Sequence, residues 1–209
     1  MRKMISAVAL LSTVGAALSA RAAAPESYLE YVATDGSAYI DTGVIGKAGT
    51  KVEAGMMWGS ISGDIAFVGA RNNTDGRYLP IHVYDNKWWF GYKNQKGGKG
   101  TPAANTYYTV TSEVTSAGVY TLNVNDDTFS EDYSSSVGNY SSDLPLYLFA
   151  LSRESNGVNN KAPAGTRCYY LKIWQDGVLV RDYKPCYHDG IVTLYDVQND
   201  TYALPLPAR

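Results

Sequence analysis

Apolar and polar residues alternate in short segments along most of this chain, and residues typical of turns separate these segments. The clearest segments run from Tyr169 to Trp174 and from Val178 to Tyr183, and their period of two predicts β-strands. Asp176-Gly177 lies between them and is typical of a type I′ turn, because both turn positions need a positive φ. The sequence therefore predicts a β-hairpin here.

The register of this hairpin follows if Asp176-Gly177 forms the two-residue loop. Ile173 then faces Val180, and Lys172 faces Arg181 on the other side. Like charges placed directly opposite are unfavourable, so we expect that side to be solvated or to meet an anion. The expected core face carries Leu171, Ile173, Val178 and Val180.

A second hairpin is predicted from Tyr78–Tyr84 and Lys87–Lys93, with its turn at Asp85-Asn86. Pairing Tyr84 with Lys87 sets three apolar pairs on one face, which we assign to the core. These pairs are Val83 with Trp88, Ile81 with Phe90, and Leu79 with Tyr92. The opposite face then carries Tyr78, His82, Tyr84, Trp89 and Lys93, with His82 facing Trp89 and Pro80 facing Gly91. A slip of one residue would exchange the two faces.

Strand-like segments separated by turns recur to the end of the chain, and no convincing helical segment or internal repeat interrupts them. Leu146–Leu151 is apolar at nearly every position and is predicted to be a buried central strand. Asn94–Asn105 is rich in glycine and lysine and is predicted to be a loop. Many short strands at this spacing predict an all-β fold, a two-sheet antiparallel β-sandwich.

Several motifs of the chain occur in the order that a known family shows. They are Tyr39-Ile40-Asp41-Thr42-Gly43, Phe67-Val68-Gly69-Ala70-Arg71, Leu148-Phe149-Ala150, Arg181-Asp182-Tyr183-Lys184-Pro185-Cys186, Gly190 and Leu194-Tyr195-Asp196. This series resembles bacterial concanavalin A-like (laminin-G-like) jelly-roll domains. The family usually has Gly where this chain has Thr193. The resemblance implies a jelly-roll sandwich, but no single activity, since the fold serves lectins, glycosidases and inert spacers.

The first 22 residues have the pattern of a secretory signal peptide. Arg2 and Lys3 form a basic start, an apolar run follows, and Ala20-Arg21-Ala22 fits the small-x-small cleavage rule. We therefore expect residues 23–209 to form one secreted domain, outside the cell or in the cell envelope. No other stretch is long and apolar enough to span a bilayer.

The net charge of the chain limits the classes of partner that it is expected to bind. The whole chain has 18 basic and 20 acidic residues, and loss of residues 1–22 leaves 15 basic residues and a net charge of −5. A mildly acidic protein is a poor candidate for binding nucleic acid or an anionic membrane. A glycan or a cell-surface protein remains the expected partner.

Cys168 and Cys186 are the two cysteines of the chain. In the predicted hairpin they are diagonal neighbours, and one bulge would place them directly opposite, within disulfide range. Export of the protein would place both cysteines in an oxidising compartment, which favours a disulfide. The sequence leaves two alternatives open, a disulfide and a pair of buried free thiols.

The face formed by Tyr78, His82, Tyr84 and Trp89 is the best candidate for ligand binding. Aromatic rings stack on the apolar faces of sugar rings, and neighbouring polar groups fix the hydroxyls. The alternative is that Trp89 lies under a loop or against a neighbouring domain. In that case the face would have a structural role.

A calcium site formed by carboxylates is the second candidate for a functional site. Asp126, Asp127, Glu131 and Asp132 are close in sequence and have the oxygen ligands that Ca²⁺ prefers, but their spacing matches no calcium loop. No other metal or cofactor is expected. Solvated acidic turns are the ordinary alternative.

An enzymatic function finds little support. Glycoside hydrolysis needs two carboxylates on one surface. The glucanases of this fold carry Glu-x-Asp-x-Glu, which this chain lacks, and no Gly-x-Ser-x-Gly elbow accompanies His82 or His188. Arg181 and Asp182 are adjacent in a strand and point opposite ways, which favours a structural role. We expect a non-catalytic carbohydrate-binding or adhesion module; the alternatives are a structural or protein-interaction domain of the cell envelope and, third, a glycosidase.

Overall fold

The computed structural model describes residues 23–72, 76–93, 95–132, 141–153 and 157–207. These residues form β-strands, turns and irregular segments, and the predicted signal peptide lies outside them. The strands are β1 (Ser27–Tyr28), β2 (Val32–Ala33), β3 (Ala38–Lys47), β4 (Thr50–Met57), β5 (Ile65–Asn72), β6 (Gly76–Tyr84), β7 (Lys87–Lys93), β8 (Gln95–Lys99), β9 (Tyr107–Val114), β10 (Val119–Val124), β11 (Asp127–Asp132), β12 (Ser141–Leu148), β13 (Ala150–Arg153), β14 (Gly157–Asn159), β15 (Arg167–Gln175), β16 (Val178–His188), β17 (Ile191–Asp196), β18 (Thr201–Ala203) and β19 (Leu206–Pro207).

The strands form two antiparallel sheets that pack face to face, so the predicted all-β sandwich is confirmed. The first sheet has the order β11-β10-β9-β4-β15-β16-β17-β18. The second has the order β19-β3-β12-β5-β6-β7-β8. β13 departs from the antiparallel pattern and pairs in parallel with β5. No helix in the described part of the chain is long and apolar enough to cross a membrane.

The core lies between the two sheets, where alternate residues of each strand point inward. Val52, Ala54 and Met56 of β4 are fully buried, as the alternation predicts. Phe90 of the second sheet stacks on Tyr120 of the first, with ring centroids 5.2 Å apart. Aromatic pairs of this kind stabilise a core beyond the area they bury, by about 1 kcal/mol.

The hairpin of β15 and β16 contains a bulge that changes its register. Trp174 pairs with Leu179 as predicted, but beyond the bulge Ile173 pairs with Arg181 instead of Val180. Lys172 consequently faces Asp182, and its Nζ lies 3.9 Å from a carboxylate oxygen. The predicted like-charge pair of Lys172 and Arg181 was therefore wrong. Leu171 and Ile173 are fully buried as predicted, whereas Val178 is exposed at the turn.

The short strands β1 and β2 lie between β15 and β16 at the end of this hairpin. Val32 pairs with Cys168 of β15, and Tyr28 pairs with Cys186 of β16. The two strands of the hairpin therefore separate where the cysteines lie. Both cysteines are buried and free in this structure.

The hairpin of β6 and β7 has the predicted turn and the predicted pairing next to it. Tyr84 pairs with Lys87, Val83 with Trp88, and His82 with Trp89. A second bulge follows, so Leu79 faces Gly91 and Tyr78 faces Tyr92, one residue away from prediction. Pro80 has no backbone N–H for a ladder bond, which suits a bulge position. The inward residues Ile81, Val83, Trp88 and Phe90 are buried as predicted.

Part of the segment predicted as a loop forms strand β8. Gln95–Lys99 pairs with β7 along its whole length and forms the edge of the second sheet. Glycine and lysine have low intrinsic strand propensity, so the local sequence argued against a strand. Lysine is nevertheless common on edge strands, where its charge discourages pairing with another chain.

Candidate functional site

The turn between β6 and β7 presents the aromatic residues of the predicted site. Asp85 and Asn86 have φ values of 51° and 55°, which are the two positive values of a type I′ turn. Asp and Asn tolerate this conformation better than other side chains. The turn fixes the register at Tyr84 and thereby decides which side chains point away from the core.

Tyr84 and Trp89 form an aromatic pair on the outer face of this hairpin. Their ring centroids lie 5.2 Å apart and the rings are nearly perpendicular, at 87°. Tyr84 is 47% exposed, whereas Trp89 is half-buried. The indole therefore supports the Tyr84 ring, and the Tyr84 ring faces solvent.

A glycine on the neighbouring strand makes room for the indole. Gly98 of β8 pairs with Trp89, and a Cβ at Gly98 would lie only 2.7 Å from the indole Nε1. Any larger residue would push the ring off the strand. Gly98 thus sets the position of Trp89, a role that the sequence did not reveal.

His82 takes a different position from the one expected of a ligand-contacting residue. It is 3% exposed, and its Nε2 contacts the carboxylate of Asp64. The side chain of Asp64 is 44% exposed. His82 therefore lies beneath Asp64, and the carboxylate is the group that reaches the surface.

An open depression lies beside Tyr84. It has a volume of about 680 Å³ and is lined by Gly63, Asp64, Tyr84, Asp85 and Asn86. Two carboxylates and an amide can bond hydroxyl groups here, while the tyrosine ring offers an apolar face. We name these five residues the Tyr84 surface. Asp85 and Asn86 belong to the predicted turn of the hairpin, and Asp64 directly precedes β5.

Of the four predicted ligand-binding residues, the structure brings three together. Tyr84 lines the depression, Trp89 supports it, and His82 lies under Asp64. Tyr78 is paired with Tyr92 in the ladder, but its side chain lies outside the described part. The assignment of these residues to a ligand stays a prediction.

The acidic residues considered for calcium lie around the turn between β10 and β11. Asp126 and Asp127 line a cavity with aromatic neighbours. Glu131 lies 3.6 Å from Lys99 Nζ of β8. Within the described residues, these carboxylates do not converge as a group of metal ligands.

A different group has the side chains and spacing of metal ligands. Atoms of Glu26, His188 and Asp189 lie within 4.8 Å of one another. Glu26 also accepts a hydrogen bond from the Asp189 backbone N–H, at 2.8 Å. His188 stacks on Tyr202 with centroids 3.9 Å apart. These contacts join the start of the domain to its last strands, which gives the group a structural role.

The half-buried Arg181 and the buried Asp196 form a polar cluster that connects the two sheets. The Arg181 Nε donates to the Thr42 carbonyl at 3.0 Å and lies 3.6 Å from Asp196. Asp196 is 1% exposed and accepts hydrogen bonds from the backbone N–H groups of Asp182 and Gln198. The structural role expected for Arg181 agrees with these contacts.

No protein-family model matches the chain, and no curated protein matches it. The resemblance of the sequence motifs to concanavalin A-like domains therefore stays a prediction.

Proposed function

We propose that this protein is a secreted, non-catalytic carbohydrate-binding or adhesion module of the concanavalin A-like jelly-roll type. Its glycan contacts the Tyr84 surface. The observation that carries the proposal is an exposed tyrosine ring, held edge-to-face by Trp89, beside a depression with hydrogen-bonding side chains.

The chemistry of the Tyr84 surface suits a sugar ring. C–H groups on one face of the sugar pack against the Tyr84 ring, while Asp64, Asp85 and Asn86 bond to hydroxyls at the rim. Because Trp89 supports Tyr84, little side-chain freedom is lost on binding. Asp64 is held by His82 and is ordered before the ligand arrives.

A glycan-array screen of residues 23–209, with and without calcium, tests this proposal. We expect a reproducible hit that Tyr84→Ala weakens at least about tenfold, which is about 1.4 kcal/mol. Tyr107→Ala is the matched control, because Tyr107 is also 47% exposed but lies on β9 of the first sheet. A hit that survives both Tyr84→Ala and Trp89→Ala would refute the site.

The second candidate function is a structural or protein-interaction domain of the cell envelope. It is favoured by the exposed apolar side chains near the last strands, where Ile191, Val192 and Leu204 are 46%, 44% and 53% exposed. Absence of any glycan hit in either buffer would favour this function. A protein partner should then be lost on Ile191→Ser with Val192→Ser.

A further inference from the structure

A second cavity opens at the edge of the sandwich, between the end of β8 and the turn that joins β10 to β11. Its volume is about 290 Å³. None of its lining residues belongs to the Tyr84 surface. The lining residues are Trp88, Gly100, Thr101, Tyr108, Val124, Asn125, Asp126, Asp127 and Phe129.

Tyr108 and Phe129 are half-buried aromatic residues of the cavity wall, and Trp88 also lines the cavity but is only 3% exposed. Trp88 and Tyr108 stand almost perpendicular to each other, at 83°, with centroids 5.2 Å apart. Gly100 lies between Trp88 and Phe129, since a Cβ at this glycine would lie 3.2 Å from Phe129 and 3.5 Å from Trp88. The backbone of Gly100 also has a φ of +58°, which favours glycine. A larger residue here would press on the Phe129 ring.

The rings are held in place from behind. Trp88 is 3% exposed and packs against the fully buried Trp58, with centroids 6.0 Å apart. The Tyr108 hydroxyl accepts a hydrogen bond from the Ala103 backbone N–H at 2.8 Å. Because these contacts fix the rings before any ligand arrives, the cavity wall is rigid.

The remaining wall carries negative charge. Asp126 and Asp127 are exposed and line the cavity. The nearby lysine, Lys99, is directed to Glu131 at 3.6 Å. Among the described residues, neither Asp126 nor Asp127 forms an ion pair. The amide oxygen of Asn125 accepts from the Thr109 backbone N–H at 2.9 Å, so Asn125 holds the turn in place.

We propose that this cavity binds an organic cation of the quaternary or methylated ammonium class. The faces of aromatic rings attract such cations within about 6 Å of the ring centroid, and the attraction is greatest where the cation loses its water. The carboxylates of Asp126 and Asp127 attract a cation electrostatically, whereas a neutral sugar would gain nothing from their charge. The proposal does not depend on glycan binding at the Tyr84 surface.

Titration of residues 23–209 with choline chloride tests the proposal, with tryptophan fluorescence and ¹H–¹⁵N NMR spectra as readouts. We expect saturable shifts of the amide signals of Gly100, Thr101 and Asn125. The neutral isostere 3,3-dimethyl-1-butanol has the same shape without the charge and should bind at least about tenfold more weakly. Equal binding of the two compounds would overturn the proposal.

Replacing the two aspartates by asparagine distinguishes an effect of charge on binding from an effect on folding. Asp126→Asn combined with Asp127→Asn should weaken choline binding at least about tenfold while the melting temperature stays unchanged, since both residues are exposed. Asp189→Asn, also exposed but outside the cavity, is the control and should leave choline binding intact. Phe129→Leu tests the aromatic wall with a side chain that still packs.

Two further probes identify the source of the cation. Phosphocholine stands for a lipid or polymer headgroup, and a trimethyl-lysine peptide stands for a modified protein. Binding of either one, lost in the double aspartate variant, would support the site and name its source. Saturation by calcium chloride or by methyl glycosides at the same amides, without any response to choline, would overturn the proposal.

Discussion

Cys168 of β15 and Cys186 of β16 occupy opposite positions in the register of their hairpin, but strands β1 and β2 lie between them. Continuing the pairing of Leu171 with Tyr183 by three residues on each strand would place the two cysteines opposite each other. Each cysteine instead pairs with the first strands of the domain. The bulge that disulfide formation required is present, but the inserted strands keep the thiols free.

This separation predicts two unreactive thiols in the folded protein. Burial raises the pKa of both, and the thiolate is the form that reacts. Ellman's reagent should therefore label neither cysteine in native buffer and both in guanidinium chloride without reductant. An intact mass lower by two hydrogen atoms, with no labelling after denaturation, would show a disulfide instead.

A substitution at Gly98 should disturb the Tyr84 surface from behind. Gly98→Ala places a methyl group against the Trp89 indole and should shift the ring, so glycan binding falls together with the aromatic circular dichroism of the Tyr84–Trp89 pair. Gly97→Ala is the matched control, because a Cβ there meets Phe90 at an ordinary 3.5 Å. Equal binding by the two variants would show that Trp89 does not support the site.

Asp196 should contribute more to stability than any exposed ion pair. Asp196→Ala removes a buried carboxylate that accepts hydrogen bonds from Asp182, Gln198 and Asn199 and lies beside the Arg181 guanidinium, which should lower the free energy of unfolding by about 3 kcal/mol. Lys47→Ala removes an exposed pair with Asp176 and should cost at most about 1 kcal/mol. Urea unfolding monitored by tryptophan fluorescence measures both. Similar losses would contradict a special role of the buried cluster.

Ionisation of Tyr183 should lower the free energy of unfolding at high pH. Burial raises its pKa from 10.0 to about 12, so the folded state holds the phenol proton more tightly than the unfolded chain does. Its contribution is complete below pH 10 and is lost as the pH rises toward 12. Tyr183→Phe should lose less stability than the wild type between these pH values. Parallel pH profiles would show that Tyr183 does not ionise differently on folding.

Gly59 follows β4 and lies directly against the backbone of residues 164–166. A Cβ at Gly59 would lie 2.1 Å from the Ala164 carbonyl oxygen, and backbone cannot easily move away. Gly59→Ala should therefore destabilise the fold by about 2 kcal/mol. Thermal unfolding compared with Gly97→Ala measures the effect. A melting temperature equal to that of the control would show that this contact relaxes.

The sequence alone determined the strand pattern, the two tight turns and most of the inward-facing residues. These are local properties: the period of two selects the buried residues, and Asp-Gly or Asp-Asn selects the turn. It therefore predicted the sandwich, the pairing of His82 with Trp89, and the outward position of Tyr84.

Only the tertiary structure decided what happens between segments that are distant in sequence. Strand insertion separates the cysteines, a bulge replaces the like-charge pair of Lys172 and Arg181 by Lys172 and Asp182, and Asp64 covers His82. Bulges and inserted strands depend on how the whole sheet closes its hydrogen bonds, which no local pattern records. For the same reason, the aromatic cavity at Trp88 and the depression at Tyr84 emerged only when distant turns came together.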